Sequence, residues 1–452
     1  MPATTSIHGQ WTTRLAFILA ATGSAVGLGN IWRFPYIAGE NGGGAFVLVY
    51  LACILLIGLP VMMAEILLGR RGRQSPINTM ATLAREEGLT RSWGLIGWIG
   101  VVAGFLILSF YSVVAGWSLA YVFKAGSGGF LGLDAAGSES MFGDMLADPE
   151  ALLAWHTIFM VMTAMVVARG VQSGLERAVT ILMPLLFVML VVMVGYAIVQ
   201  GQFMAGLEFL LYPDFSGLSA NAVLLAMGQA FFTLSLGMGA IMIYGSYLNS
   251  EASIPRTASA VVAADTLVAI MAGLAIFPIV LGAGLSAEQG PGLIFVTLPL
   301  AFADMPGGLY FGTLFFVLLV FAAWTSAISI IEPAVAFLVE NRGWTRVMAT
   351  SMIATGAWFL GIGALLSLNL WSGYTLFDMG ILDLLDYVTA NILLPLGGFL
   401  IAVFAGWRMT ERSVQAELRL RHAGLYRLWY FLLRFVAPIG ILLVFLRAVE
   451  LI

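Results

Sequence analysis

The sequence predicts an all-α polytopic membrane protein of about eleven transmembrane helices. Three observations carry this: 61% of its 452 residues are hydrophobic, only 10% are charged, and mean hydropathy is +0.99. A soluble globular surface needs far more polar area than this composition supplies. Long apolar runs recur between short polar connectors, the pattern of α-helical spans. The net charge of −4 gives no hint of a nucleic-acid partner; the lipid bilayer is the partner that the composition implies. Cys53 stands alone in an apolar run, so no disulfide framework or thiolate metal site is available within the chain. The start, MPATTSIHGQ, lacks the basic segment and cleavage site of a signal peptide, so the first span is expected to persist in the mature protein.

The apolar runs place spans at 13–37, 43–69, 93–124, 152–168, 176–199, 220–249, 258–282, 309–339, 345–369, 376–406 and 428–449. Connectors after the even-numbered spans hold Arg70, Arg71, Arg73, Arg85, Arg91, Arg169, Arg177, Arg256, Arg342, Arg346, Arg408, Arg412, Arg419, Arg421 and Arg427. The opposite connectors hold Lys124 with the acids Asp134, Glu139, Asp144, Asp148, Glu150, Glu208, Asp214, Glu288 and Asp304. Positive charge stays on the cytoplasmic side, which predicts a cytoplasmic N-terminus. Two outer connectors are long. Residues 125–151 are rich in glycine and acids, and 283–308 mix turns with apolar stretches. The second is consistent with a short helical hairpin packed on the outer face and equally with a loose surface loop.

Two spans contain residues that a lipid-embedded helix gains nothing from. Span 1 carries GSAVGLGN at mid-depth and span 6 carries TLSLGMG, residues 233–239. Glycine costs a helix interior about 1 kcal/mol relative to alanine, and backbone groups freed in lipid must find other partners. Close packing through small residues is the rival explanation. The two breaks lie five spans apart, as the first helices of two five-span halves would. An odd number of spans per half inverts the second half, giving an inverted five-plus-five repeat with unwound helices 1 and 6. Residues 1–452 then form one transmembrane domain: repeat one about 11–199, repeat two about 220–406, and an extra helix about 428–449. Paired broken helices in inverted repeats point to a central binding site. Free carbonyls suit a small hard cation, and the positive end of a half-helix suits an anion, so a ligand with ammonium and carboxylate can use both.

Residues 14–50 (RLAFILAATGSAVGLGNIWRFPYIAGENGGGAFVLVY), 228–247 (GQAFFTLSLGMGAIMIYGSY) and 321–333 (FAAWTSAISIIEP) closely resemble the neurotransmitter:sodium symporter family. The likeness runs from about Trp11 to the tenth span and is greatest to bacterial symporters of hydrophobic amino acids. It implies sodium-coupled uptake of a neutral, large hydrophobic amino acid of the leucine, tryptophan or phenylalanine type, by alternating access. It also implies a multi-pass protein of the cell inner (plasma) membrane, two sodium ions, no organic cofactor and no enzymatic chemistry. The oligomeric state is left open.

By this resemblance the first sodium site takes the Ala25 carbonyl, Asn30, Thr233 and Asp265, with the substrate carboxylate as a further ligand. The second takes the carbonyls of Gly23, Val26 and Ala322 with the hydroxyls of Thr325 and Ser326; bonding of those hydroxyls back to their own helix is the alternative. Ala25, Leu28 and Gly29 are expected beside the substrate carboxylate, with Tyr111 donating its hydroxyl. Phe232 and Ser235 are expected to turn carbonyls toward the ammonium, and Ile107, Phe232, Met238, Ser326 and Ile330 to surround the side chain. Met238 stands where many relatives have phenylalanine, and an unbranched methionine adapts to varied shapes. Asp265 stands where many relatives have asparagine. It supplies permanently the negative charge that chloride brings in chloride-dependent relatives, which predicts chloride independence. A carboxylate at that depth is also suited to carrying a proton.

The resemblance makes Arg33 and Asp386 an outer gate pair, with Asp383 the rival acid one turn away. At the inner gate His8 replaces the usual arginine before Trp11, facing Glu340 and Tyr247. A histidine charges only near its titration range, so this closure is expected to be weaker or pH-sensitive, unless His8 lies in a loose tail and another arginine substitutes. Gly174 and Pro184 match a segment that unwinds to admit water, with a static kink as the alternative. Glu65 and Glu332 are further intramembrane acids with no step assigned. A sensor is expected to carry an added signalling domain, and a channel a continuous polar path. The histidines at 8, 156 and 422 form no catalytic constellation.

Overall fold

The computed structural model describes residues 8–286, 292–420 and 422–448. Glu288 and Arg421, two of the charges weighed above, lie outside the described residues, as does the last residue of the eleventh predicted span. Among the described residues nine helices are long and apolar enough to cross a membrane. They are span 2 (Gly44–Gly72), span 3 (Arg91–Gly126), span 4 (Pro149–Ala168), span 5 (Val171–Gln200) and span 7 (Ile254–Gly282). Span 8 (Gly308–Arg342), span 9 (Arg346–Leu366), span 10 (Ile381–Arg408) and span 11 (Ala423–Ala448) complete the set. Span 1 is a pair of half-helices, Arg14–Ala25 and Gly29–Glu40, bent by 54°. Span 6 is likewise divided, into Ala220–Thr233 and Ala240–Ser246.

Both divisions fall where the sequence places its poor helix formers. Span 1 stops because Val26 turns to φ −67°, ψ 115°, and the chain resumes as a wide turn over Gly29–Arg33. Span 6 stops because Ser235, Gly237 and Gly239 adopt φ of 53°, 83° and 78°. Such left-handed residues cannot continue a right-handed helix. Gly237 is held to glycine twice over: besides its positive φ, an added Cβ would lie 2.4 Å from the Leu394 carbonyl oxygen. The freed backbone groups find partners inside the protein, as lipid requires. Glu65 accepts from the Gly237 amide at 2.7 Å, Gln229 donates to the Gly29 carbonyl at 2.8 Å, and Ser235 donates from one break to the Ser24 carbonyl beside the other at 2.9 Å.

Spans 3, 4, 8 and 9 pack against one another, and the first half of span 1 lies against spans 5, 7 and 8. Large apolar side chains such as Ile181, Val188 and Phe359 point outward and are exposed, as lipid-facing residues are. The described part of the 283–308 connector forms the helix Leu293–Asp304. Tyr121 donates to the Phe295 carbonyl at 2.8 Å and the Phe295 ring stacks on Phe142, which favours a packed element over a loose loop. The 125–151 connector contains a helix, Ala135–Ala147, capped by Asp134.

Several boundaries differ from expectation for local reasons. Span 5 begins at Val171, so Arg177 lies inside a helix rather than in a connector. Span 10 begins at Ile381 instead of 376 because Phe377 and Asp378 adopt φ of 54° and 60° in a tight turn. Span 6 ends its helix at Ser246, short of residue 249.

Candidate functional site

Between the two breaks lies a small cavity walled by Ala25, Leu28, Gly29, Ile107, Tyr111, Phe232, Ser235, Met238, Ser326 and Ile330. All ten positions expected around a substrate therefore meet in one place. Gly27 joins them. Sequence reasoning missed it, although it stands in the same Gly-Leu-Gly run. An added Cβ on Gly27 would lie 2.8 Å from the Tyr111 hydroxyl and 3.1 Å from Ser326 Cβ, so only glycine lets span 1 approach spans 3 and 8 this closely. Tyr111 accepts a hydrogen bond from the Leu28 amide at 3.2 Å. The cavity measures about 20 Å³, space for about one water. A large side chain fits only if part of this wall gives way, and the unbranched Met238 is well suited to yield.

Asn30, Thr233 and Asp265 converge beside this cavity and are buried. The Asn30 amide donates to Asp265 Oδ1 and to Thr233 Oγ1, each at 2.8 Å, and Thr233 donates to Asp265 Oδ2 at 3.1 Å. The Gly27 amide donates to Asn30 Oδ1 at 3.0 Å. The cluster offers a carboxylate, an amide and a hydroxyl, the hard oxygen donors that suit an alkali cation. Ala25 stands in the adjoining cavity wall.

Gly23 and Val26 lie on span 1, and Ala322, Thr325 and Ser326 on span 8, two helices that pack together. An added Cβ on Gly23 would lie 3.2 Å from Thr325 Cβ and 3.1 Å from Met183 Sδ. Ser326 donates to the Ser24 carbonyl across the helices at 3.2 Å. Thr325 donates back to its own helix, to the carbonyls of Phe321 at 3.0 Å and Ala322 at 3.1 Å. A hydroxyl that gives its proton to its own helix keeps its lone pairs for another partner.

The two sides of the central cavity differ. On one side a larger cavity of about 310 Å³ is lined by Arg33, Tyr36, Tyr111, Phe232, Asp383 and Asp386, among others. The ion pairs among the described residues include none to Arg33, Asp383 or Asp386. The Arg33 guanidinium lies instead 4.4 Å over the Phe232 ring. Arg33 and Asp386 thus share a cavity without touching, and Asp383 shares it with them.

The opposite side is closed. His8 Nε2 lies 3.0 Å from Glu340 Oε1, with both side chains buried, and the His8 and Tyr247 rings are 5.9 Å apart. Glu340 also accepts from the Ser75 amide and the Asn78 side chain, each at 2.7 Å. The Trp11 amide donates to the Tyr247 carbonyl at 3.1 Å, and its indole to the Tyr244 carbonyl at 3.2 Å. His8 itself, not a substitute arginine, meets Glu340. Removing it by His8→Ala is expected to cost about 1 kcal/mol of closure. The Trp11 amide should then exchange with deuterium about fivefold faster; an unchanged rate would remove His8 from the closure.

Glu332 also acquires partners. It accepts from the Tyr247 hydroxyl at 2.7 Å and pairs with Arg346, which donates to the Val167 carbonyl at 2.8 Å. Gly174 and Pro184 lie in span 5, which is helical throughout, with a wide first turn over Val171–Glu176. Gly174 packs against the end of span 4, where an added Cβ would lie 2.1 Å from the Val166 carbonyl oxygen. Glu176 accepts from the Thr12 amide at 3.2 Å, tying the start of span 5 to the start of span 1. Sequence alone gave no sign of that link, because nothing in either segment marks the other.

Comparison with known proteins agrees with this geometry. Residues 8–128 and 142–451 match the sodium:neurotransmitter symporter family. An uncharacterized sodium-dependent transporter, YhdH of Bacillus subtilis, is 39% identical over 443 residues, covering 97% of each chain. One from Haemophilus influenzae is 33% identical over 444 residues, covering 96% of this chain and 97% of its own. The crystal structure of MhsT in complex with L-phenylalanine superposes with a TM-score of 0.90 at 44% identity, covering 97% of this chain and 99% of that one. The chain belongs to the sodium:neurotransmitter symporter family. It is accordingly a multi-pass, sodium-dependent secondary transporter and not an enzyme.

Proposed function

We propose that this protein imports a neutral, large hydrophobic amino acid with two sodium ions, independently of chloride, by alternating access. One observation carries the reading: ten expected substrate positions, from four separate spans, wall a single, mainly apolar cavity beside a buried carboxylate. The phenylalanine bound to MhsT supports the substrate class. In this reading Asn30, Thr233 and Asp265, with the Ala25 carbonyl, hold one sodium ion, the Asn30 amide turning its oxygen inward. Gly23, Val26, Ala322, Thr325 and Ser326 hold the other. Asp265 supplies a fixed negative charge beside the first ion, so no chloride is needed to balance it.

The cavity lined by Arg33 and Asp386 is then the outer vestibule, and the pair closes over Phe232 and Tyr111 once substrate is bound. His8, Glu340 and Tyr247 form the inner gate, closed in this state. With the arginine-rich connectors in the cytoplasm of the inner membrane, the N-terminus is cytoplasmic and the structure faces outward. Residues about 11–199 and 220–406 are the inverted halves. Unwinding between Gly174 and Pro184 opens the inner route to the second ion, for which Glu176 must release Thr12.

The test is equilibrium binding of labelled phenylalanine, leucine and tryptophan to purified protein in sodium or potassium, with chloride or gluconate. Saturable binding in sodium alone, indifferent to chloride, is expected; binding in potassium contradicts the coupling. Within the same assay Met238→Phe, which exchanges a flexible wall for a rigid ring, should weaken tryptophan about tenfold more than leucine. Equal losses for the two would show that Met238 does not set the size limit.

A further inference from the structure

Span 10 ends in Trp407 and Arg408, and Gly406 before them meets span 11 so closely that an added Cβ would lie 3.4 Å from Arg434 Cα. Trp407 donates its indole N–H to the Arg434 carbonyl at 2.9 Å, which fixes the ring. The Arg434 guanidinium lies 4.1 Å over that indole, with the rings of Tyr430 and Phe435 at 5.6 and 5.8 Å. Its Nε is shielded from solvent and has no hydrogen-bond partner. Among the described residues no carboxylate pairs with Arg434; Arg408 turns away, its guanidinium 5.9 Å over the Trp93 ring. Trp407 is 48% and Phe435 41% exposed, so protein does not cover the cluster.

The depth of this cluster follows from span 10, because Arg434, although well inside span 11, packs against its last turn. The last turn of a spanning helix lies near the headgroups, where tryptophan and tyrosine belong. The connector leaving span 10 pairs through Glu417 with Arg70 at the end of span 2, which puts the cluster on the His8 side. An arginine on a lipid-facing surface needs an anionic partner, and here the protein offers three rings and no acid. A guanidinium fork matches a phosphate with two parallel hydrogen bonds.

We propose that Arg434, framed by Trp407, binds the phosphate of an anionic phospholipid in the membrane leaflet on the His8 side. Neutral phosphatidylcholine carries the same phosphate but balances it with its own cation, so the site discriminates by net charge. One arginine near such a headgroup corresponds to about a fivefold preference.

Native mass spectrometry of the full-length protein, given equal limiting amounts of phosphatidylglycerol and phosphatidylcholine, reads this directly. The wild type should retain phosphatidylglycerol about fivefold over phosphatidylcholine. Arg434→Gln should abolish the preference and leave sodium-dependent phenylalanine binding unchanged, and Arg434→Lys should keep part of it. Trp407→Leu, which leaves the charge and removes its platform, should weaken it if Arg434→Gln fails to fold. An equal retention of both lipids by the wild type, or an unaltered preference in both Arg434→Gln and Trp407→Leu, overturns the proposal. Loss of the bound lipid to added inorganic phosphate would likewise overturn it, making the site one for the free anion.

Discussion

Asp265→Asn is expected to weaken sodium-stimulated binding of phenylalanine by about 150-fold. The side chain is fully buried and accepts from Asn30 and Thr233. Asparagine keeps its shape, so the fold should survive. What is lost is the negative charge that, in the proposed site, faces a buried cation, and removing one partner of a buried pair costs about 3 kcal/mol. Chloride should recover part of the loss, because a mobile anion then supplies the missing charge. The measurement is a sodium titration of binding in chloride and in gluconate. Sodium affinity unchanged in the variant would place the ion elsewhere, and a loss that chloride leaves untouched would refute the charge-balance argument.

Gly237→Ala should be the most damaging small substitution at the breaks. Alanine at φ 83° costs about 1–2 kcal/mol in backbone strain. Its methyl group would also lie 2.4 Å from the Leu394 carbonyl oxygen, a main-chain atom of span 10 that cannot rotate away. Overpacking of that kind adds about 1–3 kcal/mol, and any shift pulls the Gly237 amide from Glu65. Lowered thermal stability with loss of binding is expected. A variant that keeps both would mean that the break in span 6 is more yielding than its contacts indicate.

Much of this was legible in the sequence because membrane helices leave few reasons for glycine, serine and proline at depth. The runs around Gly23–Asn30 and Thr233–Gly239 mark both breaks. Once the motifs of spans 1, 3, 6 and 8 are matched, ten wall residues meet in one cavity. Gly27 was overlooked because its role is negative: it contributes no side chain, and only the nearness of Tyr111 and Ser326 shows why none fits. Glu65 and Glu332 stood out as acids, but their partners Gly237 and Tyr247 with Arg346 lie in other spans, and Glu176, which meets Thr12, did not stand out at all. Helical periodicity reports which face a residue is on, not which span it meets. The start of span 10 was misplaced because Phe377 and Asp378 are left-handed without being glycine. In the proposed cycle the spacing of Arg33 and Asp386 changes with the transport state, which one sequence shared by all states does not record.

Sodium-driven uptake requires coupling between the oxygen cluster at Asp265 and the cavity beside it. Uptake of labelled phenylalanine into proteoliposomes under an inward sodium gradient, in chloride and in gluconate at constant pH, tests that coupling most directly. Accumulation that requires the sodium gradient and is the same in both anions is the predicted result. Accumulation without sodium, driven by a proton gradient alone, would contradict it.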